Sequence, residues 1–127
     1  MKIEDLKNAP QWLLDADTKN ADVDIINIGK VIWHSGEWLG GEWRDGIWLS
    51  GSWYDGYWYN GTWSGGDWHN GTWHSGEWRG GDWRGGDWHS GTWYGGEWHD
   101  GTWHDGFFDH DVLGIQRIYH KGPPSRF

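Results

Sequence analysis

The chain has 127 residues, with 23 Gly, 16 Trp, three Pro, no Cys and a formal charge of −9. This composition argues against an enzyme core of branched aliphatics, against collagen, which needs Gly at every third position and abundant Pro, and against disulfide or thiolate scaffolds. No apolar run approaches the roughly 18 residues of a membrane span, and Met1-Lys2-Ile3-Glu4-Asp5 lacks the apolar stretch of a signal peptide, so the chain is expected to be soluble and unexported.

The first element, residues 1–20, is expected to be a cap. Ile3, Leu6, Trp12, Leu13 and Leu14 are apolar around a break at Pro10, a pattern of two short helical turns laid over an exposed core, with Asp17 or Thr18 leading into the first strand. From Trp33 to Trp103 a Trp then falls at every fifth position, fifteen in all, and Gly keeps the same beat from Gly36 to Gly106. The unit is G-x-W-x-x, as in Gly71-Thr72-Trp73-His74-Ser75. A period of five fits neither a helix nor an uninterrupted strand, so the chain must turn once per unit. The residue before each repeat Gly is Ser, Asp, Asn or Gly, as at Ser35, Asp45, Asn60 and Gly65, and these pairs favour tight turns. Short strands bent at regular corners make an all-β fold, a β-solenoid. Fifteen outward indoles would form a large sticky surface, so the indoles are expected inside.

This spacing resembles that of pentapeptide-repeat proteins, which place a small residue two positions before a central Leu or Phe. Here Gly takes the small slot and Trp the central one, a swap that roughly conserves volume. Ala21-Asp22-Val23 is similar to the family's ordinary unit and shares the frame of every Trp, as do Ile28, Phe108, Leu113 and Ile118. The resemblance therefore spans residues 21–118, with 119–127 as a tail. It implies a right-handed, four-sided β-helix in which residues 20 apart stack about 4.8 Å apart, giving about five coils. The position before each Trp agrees: Ser52, Thr62, Thr72, Thr92 and Thr102 alternate with Asp67, Glu77, Asp87 and Glu97, a period of ten broken by Asp82, which fits coils of ten or twenty residues better than fifteen. Similar Trp-Gly arrays occur in phages and bacteria, which implies a cytoplasmic or virion-associated protein.

The negative charge sits on the array: residues 31–110 hold three Arg and twelve acids, whereas the flanks sum to zero. Such a field disfavours direct contact with nucleic acid or anionic membrane and favours basic protein partners. Its ordinary role is solubility and the separation of strand edges. The family resemblance implies a sharper one, mimicry of DNA at a DNA-handling enzyme, with Asp67, Glu77, Asp82, Asp87, Glu97 and Asp100 as the candidate acidic contact face. A second candidate interface is the C-terminal end, Phe107, Phe108, Leu113, Ile115 and Ile118, through which copies of the chain would assemble. Val112 to Tyr119 reads as a final strand or cap, stopped by Gly122-Pro123-Pro124.

No catalytic motif is present: there is no nucleophile elbow, phosphate loop, His-Glu-x-x-His or dinucleotide fingerprint. The sequence assigns no cofactor and no metal ligands, although four-unit coils would stack His69 on His89. Tyr54, Tyr57, Tyr59 and Tyr94 could form a small outward patch for sugars or bases. The expected function is a non-enzymatic structural or protein-interaction module, with DNA mimicry second and a ligand platform third.

Overall fold

The structure, a computed structural model, describes residues 1–27, 29–110 and 115–119. A 3-10 turn (Ile3–Asp5) and a four-residue helix α1 (Gln11–Leu14) precede the long strands β1 (Asp17–Ile26) and β2 (Lys30–Gly40). Thirteen two-residue strands follow, from β3 (Glu42–Trp43) to β15 (Thr102–Trp103), and the chain ends in β16 (Phe107–His110) and β17 (Ile115–Tyr119). The all-β solenoid expected from the pentads is observed, and the short helix lies at the N-terminal end.

The number of sides differs from the expected four. Trp33 lies beside Trp48, Trp48 beside Trp63, Trp63 beside Trp78, Trp78 beside Trp93 and Trp93 beside Phe108, all in parallel register. A coil is thus three pentads, and five such steps span the array. Trp38, Trp53, Trp68, Trp83 and Trp98 form the second face, and Trp43, Trp58, Trp73, Trp88 and Trp103 the third. Strand β2 bends round the first corner and serves two faces.

Ring geometry explains the triangle. Indoles fifteen apart stack with centroids 4.6–5.2 Å apart and planes within 4–8°. Aromatic faces touch at about 3.5 Å, so in rings repeating at strand spacing the ring normals must tilt by roughly 40° from the solenoid axis. Three such tilted columns about one axis meet at roughly 70°, whereas four would meet at roughly 57°. Successive indoles meet at 66–77° with centroids 5.7–6.0 Å apart, the edge-to-face geometry aromatic pairs prefer. Successive rings pack edge to face about the axis at these angles, and a fourth side would narrow the angle away from this preferred contact. Twelve indoles, Trp33 through Trp88, are completely buried.

The ten-residue beat of Thr and acid thus has another meaning. On a fifteen-residue coil it places Thr62, Glu77 and Thr92 in one column and Thr72, Asp87 and Thr102 in another. Carboxylates are separated by hydroxyls along these faces, and like charges directly opposite one another are avoided.

Backbone hydrogen bonds join each pentad to the coil below; among them the Asp67 N–H donates to Gly51 O (3.1 Å) and the His69 N–H to Trp53 O (2.8 Å). The small slot shows why Gly is needed. Gly66 has φ +111°, and a Cβ there would lie 2.2 Å from Gly51 O in the preceding coil. The corners also receive the indoles, since Trp63, Trp68, Trp73 and Trp88 donate Nε1–H to the carbonyls of Gly80, Gly85, Ser90 and Asp105 at 3.0–3.1 Å.

The N-terminal end is closed by irregular structure. Strand β1 runs antiparallel to β2, with Val23 opposite Trp33, Thr18 opposite Trp38 and three register shifts. Ala21-Asp22-Val23, in frame with the pentads, is therefore part of this antiparallel strand and not a coil, and Ile28 lies outside the described residues. Leu13 and Val23 are fully buried, and Trp12 packs edge-on against Trp43 at 5.1 Å. At the other end β16 continues the first face, then β17 returns antiparallel with Ile118 opposite Phe108. Parallel stacking thus runs from residue 31 to residue 108, inside the 21–118 frame.

Candidate functional surface

Each pentad sends two side chains outward from a face, the residue before Trp and the residue after it, and stacks both on their counterparts fifteen residues away. The three faces therefore carry different columns. The six acids of the candidate contact face do not share one. Asp67, Asp82 and Glu97 lie in register on the second face. Glu77 is on the first face, where it pairs with Arg79 (3.0 Å) and accepts a bond from the Tyr94 hydroxyl (3.4 Å). Asp87 is on the third face, 3.9 Å from His104. Asp100 sits at a corner and accepts the Gly101 N–H (2.8 Å), a turn role.

The second face is a chain of alternating charge. Two residues that follow a Trp reach down to the acid of the preceding coil: Arg84 contacts Asp67 Oδ1 (3.3 Å) and Asp82 Oδ2 (3.8 Å), and His99 Nε2 contacts Asp82 Oδ1 (3.2 Å) and Glu97 Oε2 (3.5 Å). The hydrogen bond from His99, helped by Asp67 and the Arg84 charge, holds the Asp82 carboxyl below the usual carboxylate range. Asp82 is the residue that breaks the ten-residue beat. Its place in the sequence is what stacks three carboxylates, and it is there that Arg84 and His99 intervene.

The third face carries a ladder of flat groups. The Arg44 guanidinium lies over Tyr59 (4.4 Å), Tyr59 stacks on His74 (4.7 Å), His74 on His89 (5.2 Å) and His89 on His104 (4.5 Å). Burial, and then the neighbouring charges of His104 and His74, push the His89 imidazole below its ordinary value. His69 does not stack on His89 as four-sided coils would require; it stacks on Tyr54 of the second face (4.6 Å). The four tyrosines do not form one patch either. Tyr57 and Tyr59 share the third face at 6.4 Å, and Tyr94 lies beneath the Arg79 guanidinium (4.6 Å) on the first.

Of the C-terminal candidates, Phe107 is exposed in β16 and Phe108 is in parallel register with Trp93. Ile115 and Ile118 lie in β17 opposite His110 and Phe108, and Leu113 lies outside the described residues. The candidates missed in the sequence, Arg84, His99 and the His74–His89–His104 ladder, become visible once every fifteenth residue is aligned. The described recesses are shallow grooves along corners and beside the cap, lined for example by Gly41, Asp55, Gly56, Tyr57 and Thr72. No described helix is long and apolar enough to cross a membrane. No protein-family model matches the chain, and no curated protein or solved structure is detectably similar to it.

Proposed function

We propose that the chain is a non-enzymatic structural or protein-interaction module, a pentapeptide-repeat-like solenoid reduced from four sides to three. The observation that carries this reading is the division of labour within each pentad. The interior of the coils is one residue type repeated on itself, stacked and fully buried from Trp33 to Trp88, while the chemical variation lies on three outer faces. Flat, preorganised β surfaces lose little entropy when a partner docks.

The second face is the favoured contact, because its acids, Glu37, Asp67, Asp82 and Glu97, follow one line and suit a basic partner. DNA mimicry by all six candidate acids has weaker support, since they are spread over three faces and a corner, and Arg84 and His99 interrupt the only aligned set. Assembly through the C-terminal end, where Phe107 is exposed, is the route by which copies would form a larger particle.

A pull-down of tagged chain from bacterial lysate at low and high salt tests this reading. Two variants run beside it: Asp67→Asn/Asp82→Asn/Glu97→Gln on the second face and Glu77→Gln/Asp87→Asn on the other two. A basic partner held at low salt, released at high salt and lost only with the second-face variant is expected. A DNA-handling enzyme lost with both variants would move mimicry to the front. If nothing is captured, and light scattering shows a monomer at all concentrations, the interaction reading fails.

A further inference from the structure

We propose that Asp82, Glu97 and His99 form a binding site for a zinc-class divalent metal ion on the second face. The three side chains offer one nitrogen and two carboxylate oxygens within 4.8 Å of one another. His99 Nε2 lies 3.2 Å from Asp82 Oδ1 and 3.5 Å from Glu97 Oε2. Two donors bound to one tetrahedral ion at zinc's bond lengths of about 2.0–2.1 Å are about 3.3 Å apart. The two His99 separations bracket that value, and the carboxylate oxygens, within 4.8 Å of each other, close on an ion by side-chain rotation.

The backbone fixes this geometry. Asp82 and Glu97 are directly opposed in parallel register, above the stacked indoles of Trp83 and Trp98 (5.1 Å), and the His99 N–H is tied to Trp83 O (2.8 Å). Opposed carboxylates repel. In the other two columns the Thr and acid alternation removes that repulsion, and here Asp82 restores it, which leaves a position where positive charge is required. Arg84 meets this need only on the far side: it contacts Asp67 and Asp82 Oδ2, and so orients Asp82 with Oδ1 towards His99. An outer group that fixes a ligand carboxylate in this way is a recurring part of metal sites. The side chains are 34%, 70% and 31% exposed for Asp82, Glu97 and His99, so a bound ion keeps a position open to water or to a donor from a partner. A mixed nitrogen and oxygen set selects late transition ions over Mg2+, which prefers six oxygens. The imidazole ladder of the third face is different. Its rings are parallel to within 11° and 3°, so their nitrogens lie side by side and do not converge.

Isothermal titration of the full, untagged chain with Zn2+ tests the site. One ion per chain is expected, with no comparable heat from Mg2+. His99→Gln and, separately, Glu97→Gln should each weaken binding by at least about tenfold, while His74→Gln/His89→Gln/His104→Gln should leave it unchanged. Circular dichroism checks that each variant is folded, and if His99→Gln is not, Glu97→Gln decides. Absence of Zn2+ binding at millimolar metal, undiminished binding in the folded variants, or loss of binding in the ladder variant overturns the proposal.

Discussion

Trp43 is contacted on its two sides by two different kinds of structure. Towards the C-terminus it meets a copy of itself, Trp58, with ring planes 4° apart and centroids at 5.0 Å; towards the N-terminus it meets Trp12, edge-on at 63°. Above the first coil the indole contacts and the parallel ladder repeat at fifteen residues, and the contacts of the cap do not. A periodic stack has no internal reason to stop, because each coil presents to solvent the same backbone groups and rings that bind the next one. The cap supplies that reason by departing from the pattern. Strand β1 runs antiparallel, carries register shifts, and passes through Asn20 with φ +56°, so its outer edge is a poor template for another parallel coil.

Deleting residues 1–20 should break this comparison most severely. The variant loses Leu13, Trp12 and the start of β1, uncovering Trp38 and Trp43, and is expected to lose cooperative unfolding and to associate through the open end. Thermal melting with light scattering measures both, and an unchanged melting temperature would remove the cap from the account. Single Trp substitutions set the two regions side by side. Trp68→Ala leaves a cavity beneath and above stacked partners and should cost about 3–5 kcal/mol. Trp12→Ala, at a partly exposed ring with one aromatic neighbour, should cost about 1–2 kcal/mol in the same denaturant titration.

Adjacent glycines sharpen the contrast within the coils. Gly66→Ala puts a Cβ against Gly51 O at a positive φ and should cost about 3 kcal/mol. Gly65→Ala meets only Leu49 O at 3.6 Å with an ordinary φ, and should be neutral or stabilise by up to about 1 kcal/mol. Equal effects at the two positions would mean that the small slot is not set by the coil below.

These contrasts also show what the sequence could tell. The five-residue beat and inward indoles follow from composition and period alone, because every Gly-Trp unit imposes the same local constraint, and the short N-terminal helix follows from the apolar residues on either side of Pro10. The number of sides does not, since it depends on how tilted indoles meet across the lumen, a tertiary relation that no single pentad contains. The Thr and acid alternation was compatible with a coil of ten or twenty residues as a pattern of identity, whereas on fifteen it is a pattern of avoidance. Reading like on like led to His69 over His89; the actual partners are Tyr54 for one and His74 and His104 for the other. Ala21-Asp22-Val23 matched the frame because an antiparallel strand also alternates its sides, so Val23 is buried either way. Asp67, Asp82 and Glu97 are candidates from the sequence, but their grouping on one face, and Glu37 in the same column, requires the coil length.

The smallest expected effect concerns the imidazole ladder. His89 stacks between His74 and His104, with Asp87 as the one nearby group that favours its charge. Its folded pKa is lowered below the ordinary imidazole value of about 6.5, so the unfolded chain takes up the proton more readily. The neutral ring's contribution to stability is therefore fully present above about pH 6.5 and is lost as pH falls through the lower folded pKa. Melting temperatures measured from pH 7.5 to 5 should fall with pH, and His89→Gln should reduce the slope, because Gln adds no charge between its neighbours. A slope that is unchanged in the variant would place the titration elsewhere. Indole columns repeat without electrostatic penalty, whereas imidazoles in the same register can stack closely only while most of them stay neutral. The outer ladder thus obeys the coil geometry of the core but, unlike the core, answers to pH.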